Sequence, residues 1–175
     1  MINLYLATCT KENEHEVGTA LAQHALNATF GQSAELLHDK RGKPYFDIDG
    51  VYVSISHSNG LCLAAISDTE IGADIEYIQT QNERIPRLAE RYFMPDEAAY
   101  VHESPNEHFY AVWCAKESYI KYTGEGFSRP PSSFSVLESE LCFSHFTIDG
   151  YAMCVCSRES ADTPPVFVEK SELEG

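Results

Sequence analysis

Long apolar runs are missing from this sequence, and so are paired cysteines and an excess of bases. No segment approaches the roughly 20 apolar residues that a membrane-spanning helix needs. The opening MINLYLATCTKEN has no basic leader, and its apolar run is too short for a signal peptide. Six cysteines stand at positions 9, 62, 114, 142, 154 and 156, none in a Cys-x-x-Cys pair, and no Cys/His spacing resembles a zinc site. Most lie in apolar runs, where reduced cysteine behaves as a small hydrophobe. A reducing, cytoplasmic setting without membrane contact is the expectation. Bases number 12 against 27 acids, a formal net charge of −15. The phosphate backbone of a nucleic acid, or an anionic bilayer, repels such a chain at long range. A phosphate-bearing small molecule needs only a local cluster of cations or a bridging metal, and stays open. Bases do cluster at Lys40, Arg41 and Lys43, and again at Lys116 and Lys121.

What is present is a core-forming chain of 175 residues, 43% apolar, enough for one substantial domain or two small packed lobes. INLYLATC (2–9) reads as a buried strand and residues 12–29 as a helix, with Val17, Ala20, Leu21, His24 and Ala28 at helical spacing. After the loop DKRGKPYFD come short strands in YFDI, VYVSISH and LCLAAIS, separated by Asp49-Gly50 and Ser58-Asn59-Gly60. IGADIEYI (71–78) alternates with period two. Helices follow at about 83–92, 95–103 and from near Asn106, and then strands in SFSVLE, LCFSHFTI, YAMCVCS and PVFVE. Asp149-Gly150 reads as a hairpin turn, and the tail SELEG as frayed. The expected fold is α+β: two similar lobes in pseudo-twofold arrangement, 1–70 and 71–175, each a small, mainly antiparallel sheet packed on a long helix.

Two stretches carry chemistry. In a strand, residues i and i+2 share a face, so Asp74 and Glu76 project together, and two close acids repel unless a cation lies between them. Mg²⁺ or Mn²⁺ suits such oxygen donors. Alone, the pair is a weak signal and reads first as the solvent edge of an acidic protein. The second stretch is FYAVWCAKESYIKYTGEGF (109–127), a helix whose Phe109, Val112, Trp113 and Ile120 face a core. Glu117 and Lys121 are i, i+4 neighbours, worth about 0.3–0.5 kcal/mol as an exposed pair. If this helix packs beside strand 71–78, however, Glu117 joins Asp74 and Glu76 as a third oxygen ligand, and Lys121 aims at a phosphate on the same metal.

The pairing of IGADIE with WCAKESYIK, Asp74 and Glu117 lying 43 positions apart, resembles the signature of the 4′-phosphopantetheinyl transferases: a (V/I)-G-x-D strand and, some forty residues on, W/F-x-x-K-E-x-x-x-K. RGKPYF (41–46) resembles the family's G-x-K-P element and SISHSNG (54–60) its N-x-S-H-S element. RYFMPDE (91–97) is similar to its R-F-F-x-x-x-E helix start, and GEGFSRPPSSFSV to the segment after the lysine. Similarity covers most of residues 41–137, closest to the pseudo-dimeric Sfp-type class.

The resemblance implies transfer of phosphopantetheine from coenzyme A to a serine of an apo acyl or peptidyl carrier protein, with release of adenosine 3′,5′-bisphosphate, in a cleft between the lobes. It implies Asp74, Glu76 and Glu117 as ligands of Mg²⁺ (or Mn²⁺), and Lys121 as a pyrophosphate contact. Arg41, Lys43, Ser56, His57 and Lys116 fall on its coenzyme A contacts. Glu117 is the candidate general base, and Asp74, Glu117 and Lys121 form the catalytic set. Carrier proteins are usually acidic, so docking on this acidic chain needs a local patch: Arg84, Arg87 and Arg91 on one predicted helix offer a basic rim, Phe93, Met94 and Tyr100 apolar contact. His15, His24, His38, His102, His108 and His145 show no convergent pattern, and HESPNEH (102–108) lacks the H-E-x-x-H spacing. Because both lobes lie in one chain, a monomer is expected. The alternatives are a metal-dependent phosphohydrolase using the same three acids to activate water, and a relative that binds coenzyme A without turnover.

Overall fold

Period-two alternation and turn residues set the strands, and glycines set how closely the helices approach them. The computed structural model describes residues 1–80 and 82–173. In chain order its elements are β1 (Ile2–Thr8), α1 (Glu14–Phe30), β2 (Leu37–His38), β3 (Pro44–Tyr45), β4 (Tyr52–Ser58), β5 (Leu61–Ser67) and β6 (Ile71–Tyr77). Then follow α2 (Ile85–Tyr92), α3 (Pro95–Glu103), α4 (Pro105–Thr123), β7 (Cys142–Ile148), β8 (Tyr151–Ser157), β9 (Val166–Phe167) and α5 (Lys170–Leu173). One sheet has the order β4-β5-β1-β9 and a second β6-β8-β7, with β2 and β3 as a separate two-stranded pair. The α+β architecture, a helix packed on each main sheet, is as expected: α1 lies on the first and α4 on the second.

Both hairpin turns follow from their residues. Asn59 (φ 43°) with Gly60 (φ 93°) joins β4 to β5, and Asp149 (φ 46°) with Gly150 (φ 84°) joins β7 to β8. Asn, Asp and Gly tolerate this left-handed conformation at low cost. Each lobe has its own apolar cluster, one around Leu21, Leu26, Val53 and Ile66, the other around Ile85, Val101, Phe109, Val112 and Ile120. A third cluster joins the two sheets, bringing Leu4, Leu6 and Leu63 against Ile71, Ile75, Met153 and Val155. Among the described residues, no helix is long and apolar enough to cross a membrane.

Where β4 meets β6 there is no backbone ladder; serine hydroxyls make the connection. Ser54 Oγ accepts from the Ala73 amide at 2.9 Å, and Ser58 Oγ accepts from the Tyr77 amide at 3.0 Å. Between them Ser56 Oγ donates to Asp74 at 2.8 Å. Residues two apart share a strand face, so SISHS presents all three serines to β6 at once.

Five details differ from the sequence reading. The chain end crosses back: β9 runs parallel to β1, the Val168 amide donates to Leu6 O at 2.8 Å, and Leu173 packs on the first lobe's cluster. β9 and Leu173 thus pack on the first lobe although they follow residue 70 in the chain. That packing also replaces fraying at Ser171–Leu173; the last two residues of SELEG, 174 and 175, lie outside the described residues. SFSVLE is not a strand, because the Val136 amide is spent on Glu97 Oε1 (2.8 Å) and Ser135 Oγ on Asp96 (2.5 Å). Strand pairing in YFDI is confined to Tyr45 with Pro44. The buried face of α1 is Gly18, Leu21, Ala22, Ala25 and Leu26, rotated from the expected stripe because Gly18 lets the helix settle against Ile55.

Gly72 sets the distance between the lobe-two sheet and its helix. A Cβ at this position would fall inside the envelope of Ser118 O and the Tyr122 backbone, and backbone yields far less than a side chain tip. Gly72→Ala is expected to cost about 1–3 kcal/mol or more, read as a lowered urea midpoint. An unchanged midpoint would mean that β6 and α4 separate freely.

Candidate active site

Gly72, Asp74 and Glu76 share the β6 face that meets α4, while Ala73 and Ile75 enter the core between the sheets. On α4, Trp113, Glu117 and Lys121 recur every four residues and form one stripe. The close approach at Gly72 lays this stripe along the strand. Trp113 Nε1 donates to Glu76 Oε1 at 3.1 Å, and Lys121 Nζ donates to Asp74 Oδ1 at 2.8 Å. Lys121 thus reaches across to the strand rather than back along the helix to Glu117.

The electrostatics of this face are unbalanced. Asp74 is 4% exposed; its Oδ1 accepts from Ser56 and Lys121, but its Oδ2 is buried without a partner. An unsatisfied buried polar atom costs about 1–3 kcal/mol, more if charged. Burial pushes the Glu117 carboxyl above the ordinary range, the Asp74 charge adds to that, and Lys121 opposes it. Glu76 is raised for the same first reason, burial, and then by Asp74, against its hydrogen bonds from Ser58 and Trp113. Two acids that resist ionisation beside a third with an orphaned oxygen fit a hard divalent cation. Asp74 and Glu117 fit best as direct donors. Glu76 is already oriented by Trp113 on Oε1 and by Ser58 on Oε2 at 3.1 Å.

Next to this face the first lobe brings cations to the C-terminal end of α4, where unpaired carbonyls carry partial negative charge. Lys43 Nζ donates to Tyr122 O at 2.9 Å and pairs with Glu70 at 2.5 Å, and Arg41 donates to Gly124 O at 3.4 Å. A cavity of about 120 Å³ between the lobes is lined by Arg41, Lys43, Ser54, Ile55, Lys121 and Gly124. On the other side of the acids a cavity of about 280 Å³ is lined by Glu76, Leu88, Tyr92, Tyr110 and Trp113.

The structure therefore brings Asp74, Glu76, Glu117, Lys121 and Ser56 to one face, with Arg41 and Lys43 beside them, although the oxygens of the three acids do not all come within 4.8 Å of one another. His57 points elsewhere: its Nδ1 lies 3.3 Å from Glu14 Oε2 and its ring stands edge-on to His15. Lys116 also lies away from the acids. It is 0% exposed, pairs with Glu97 at 2.7 Å, and donates to Pro131 O and Phe134 O at 2.7 and 2.5 Å. Neighbours on a helix point about 100° apart, so Glu117 faces β6 while Lys116 is locked against α3 and the loop after α4. Ser54, Ser58 and Glu70 were not foreseen. The serines were legible in the SISHS alternation; Glu70 left no signal. Arg84, Arg87 and Arg91 are all exposed on or beside α2, whereas Phe93 belongs to the core.

Comparison with known proteins agrees with this geometry. Residues 70–161 match the model of the 4′-phosphopantetheinyl transferase superfamily, and residues 7–67 that of the 4′-phosphopantetheinyl transferase N-terminal domain. A 4′-phosphopantetheinyl transferase of Bacillus subtilis is 31% identical over 163 residues, 87% of this chain and 71% of the relative. One of Bacillus pumilus is 29% identical over 168 residues, 83% and 71% of the two chains. One of Nostoc sp. is 35% identical over 101 residues, 53% of this chain and 42% of its own length.

Proposed function

The chain belongs to the 4′-phosphopantetheinyl transferase superfamily, and we propose that it transfers 4′-phosphopantetheine from coenzyme A to a serine of an acyl or peptidyl carrier protein. The observation that carries this reading is the junction of the Asp74/Glu76 strand face with the Glu117/Lys121 helix stripe beside the basic cavity between the lobes. Asp74 and Glu117, with Glu76 behind them, hold Mg²⁺ or Mn²⁺. The ion, when bound, offsets charge on the diphosphate as it breaks. Lys121, shared with Asp74, reaches the same diphosphate, and Lys43 and Arg41 hold the nucleotide side. Ser56 fixes the Asp74 carboxylate, and His57 is a further donor contact that needs its ring released from Glu14.

In the reaction the carrier serine oxygen bonds to the pantetheine-side phosphorus. The bond from that phosphorus to the bridging oxygen breaks, and adenosine 3′,5′-bisphosphate leaves. Glu117 takes the serine proton on the carboxylate oxygen left free by the ion. The exposed arginines 84, 87 and 91 form a basic face on an otherwise acidic molecule, suited to an acidic carrier. Because both lobes lie in one chain, it acts as a monomer. Its free cysteines suit a reducing cytoplasm.

The test is intact-mass measurement after incubation with coenzyme A, Mg²⁺ and a panel of apo carrier proteins. A phosphopantetheine-sized gain on a carrier, abolished by EDTA, is expected. Hydrolysis of coenzyme A without any gain would favour the phosphohydrolase, and binding without either the non-catalytic relative.

A further inference from the structure

His15 has no part in the proposed transfer, yet it meets His57 and Glu14 at the end of the first lobe. We propose that Glu14, His15 and His57 form a second cation site, for a transition metal of the Zn²⁺ class, separate from the acids around Asp74.

One ligand atom from each of the three residues lies within 4.8 Å of the other two, a convergence that, among the described residues, no other such set of three reaches. Glu14 Oε2 and His57 Nδ1 are 3.3 Å apart. Two donors at 2.0–2.2 Å from a tetrahedral zinc ion are separated by about 3.4 Å, so this pair already has the spacing. The imidazoles of His15 and His57 stand edge-on, centroids 5.6 Å apart at 79°, and His15 is exposed and free to swing the remaining distance.

The supports are rigid. Glu14 and His15 open α1, and His57 lies near the end of β4, directly opposite Cys62 on β5. The Cys62 thiol donates to Glu14 O at 3.5 Å and ties the helix start to the same point of the sheet.

Two imidazoles and one carboxylate select Zn²⁺, Co²⁺ or Ni²⁺ over Mg²⁺, whereas an all-oxygen set such as Asp74, Glu76 and Glu117 favours Mg²⁺. Glu12 and Glu16 flank the cluster in sequence and favour a cation there, with Lys11 opposing. Three protein donors leave the fourth position to water or an incoming ligand. An ion held here keeps His57 against the start of α1. That consequence, unlike the site itself, rests on the transferase reading.

The test uses the full chain, stripped with EDTA and saturated with Mg²⁺, titrated with Zn²⁺ against a chromophoric chelator. One Zn²⁺ per chain is expected in the wild type and in Asp74→Asn. The affinity falls at least about tenfold in His15→Ala and in Glu14→Gln. Absence of Zn²⁺ binding under Mg²⁺, or affinity unchanged by His15→Ala, would overturn the proposal and leave an ordinary Glu–His contact. No turnover enters the measurement, so its failure and the failure of the transfer assay are read independently.

Discussion

Asp74→Asn is expected to lower carrier modification about 10²–10³-fold without lowering the thermal midpoint. Both halves come from the same atoms. Asp74 Oδ1 is held by Ser56 and Lys121, each at 2.8 Å, so an amide oxygen can keep that contact while the ligand charge is lost. Oδ2 is buried with no partner, and the carboxylate raises the proton affinity of Glu76 and Glu117. Removing its charge relieves that repulsion, while Lys121, partly exposed, keeps solvent as well as the amide oxygen. A site that costs the fold and serves the reaction is where activity and stability part. Continuous mass-based transfer rates and a thermal melt decide it. If activity falls only in step with stability, Asp74 is a structural anchor for Lys121 and the metal assignment fails.

How much of this could be read from the chain depends on whether the controlling interaction is local. Asp74 and Glu76 share a face because strand geometry leaves no choice, and Trp113, Glu117 and Lys121 share a stripe for the equivalent helical reason. That the two surfaces meet was suggested only by the family resemblance. The close approach at Gly72 explains why glycine precedes this pair. The serine seam was half legible: SISHS is a regular alternation, but which strand it would face is a tertiary fact. Nothing local announces that β9 returns to the first sheet, since two exposed residues, Val166 and Phe167, pair there through backbone alone. His15 carried no signal either, because His57 comes from β4, about forty positions away.

Lys116 falls on a coenzyme A contact by resemblance and on a buried ion pair in the structure, and its replacement separates the two readings. Lys116→Met is expected to destabilise by about 3–5 kcal/mol, the cost of leaving a buried ion without its partner. The pair does more than balance charge. Glu97 accepts from the amides of Met94 at 2.9 Å and Val136 at 2.8 Å, and Lys116 donates to the carbonyls of Pro131 and Phe134. Together they fasten α3, α4 and the loop that replaces the expected strand, and they hold the helix that carries Glu117. Burial lowers the proton affinity of Lys116, and Glu97 restores part of it. The double replacement Lys116→Met with Glu97→Gln removes both charges and is expected to recover much of the loss, since uncharged pairs of similar volume are often tolerated where a broken pair is not. Urea unfolding of both variants measures this as a shift of midpoint at constant slope. Transfer per folded molecule is expected to stay near that of the wild type, because Lys116 lies behind the catalytic face. A variant with normal stability but a raised KM for coenzyme A would reverse the assignment, placing the Lys116 ammonium on the donor and leaving the Glu97 contact a resting arrangement that substrate replaces.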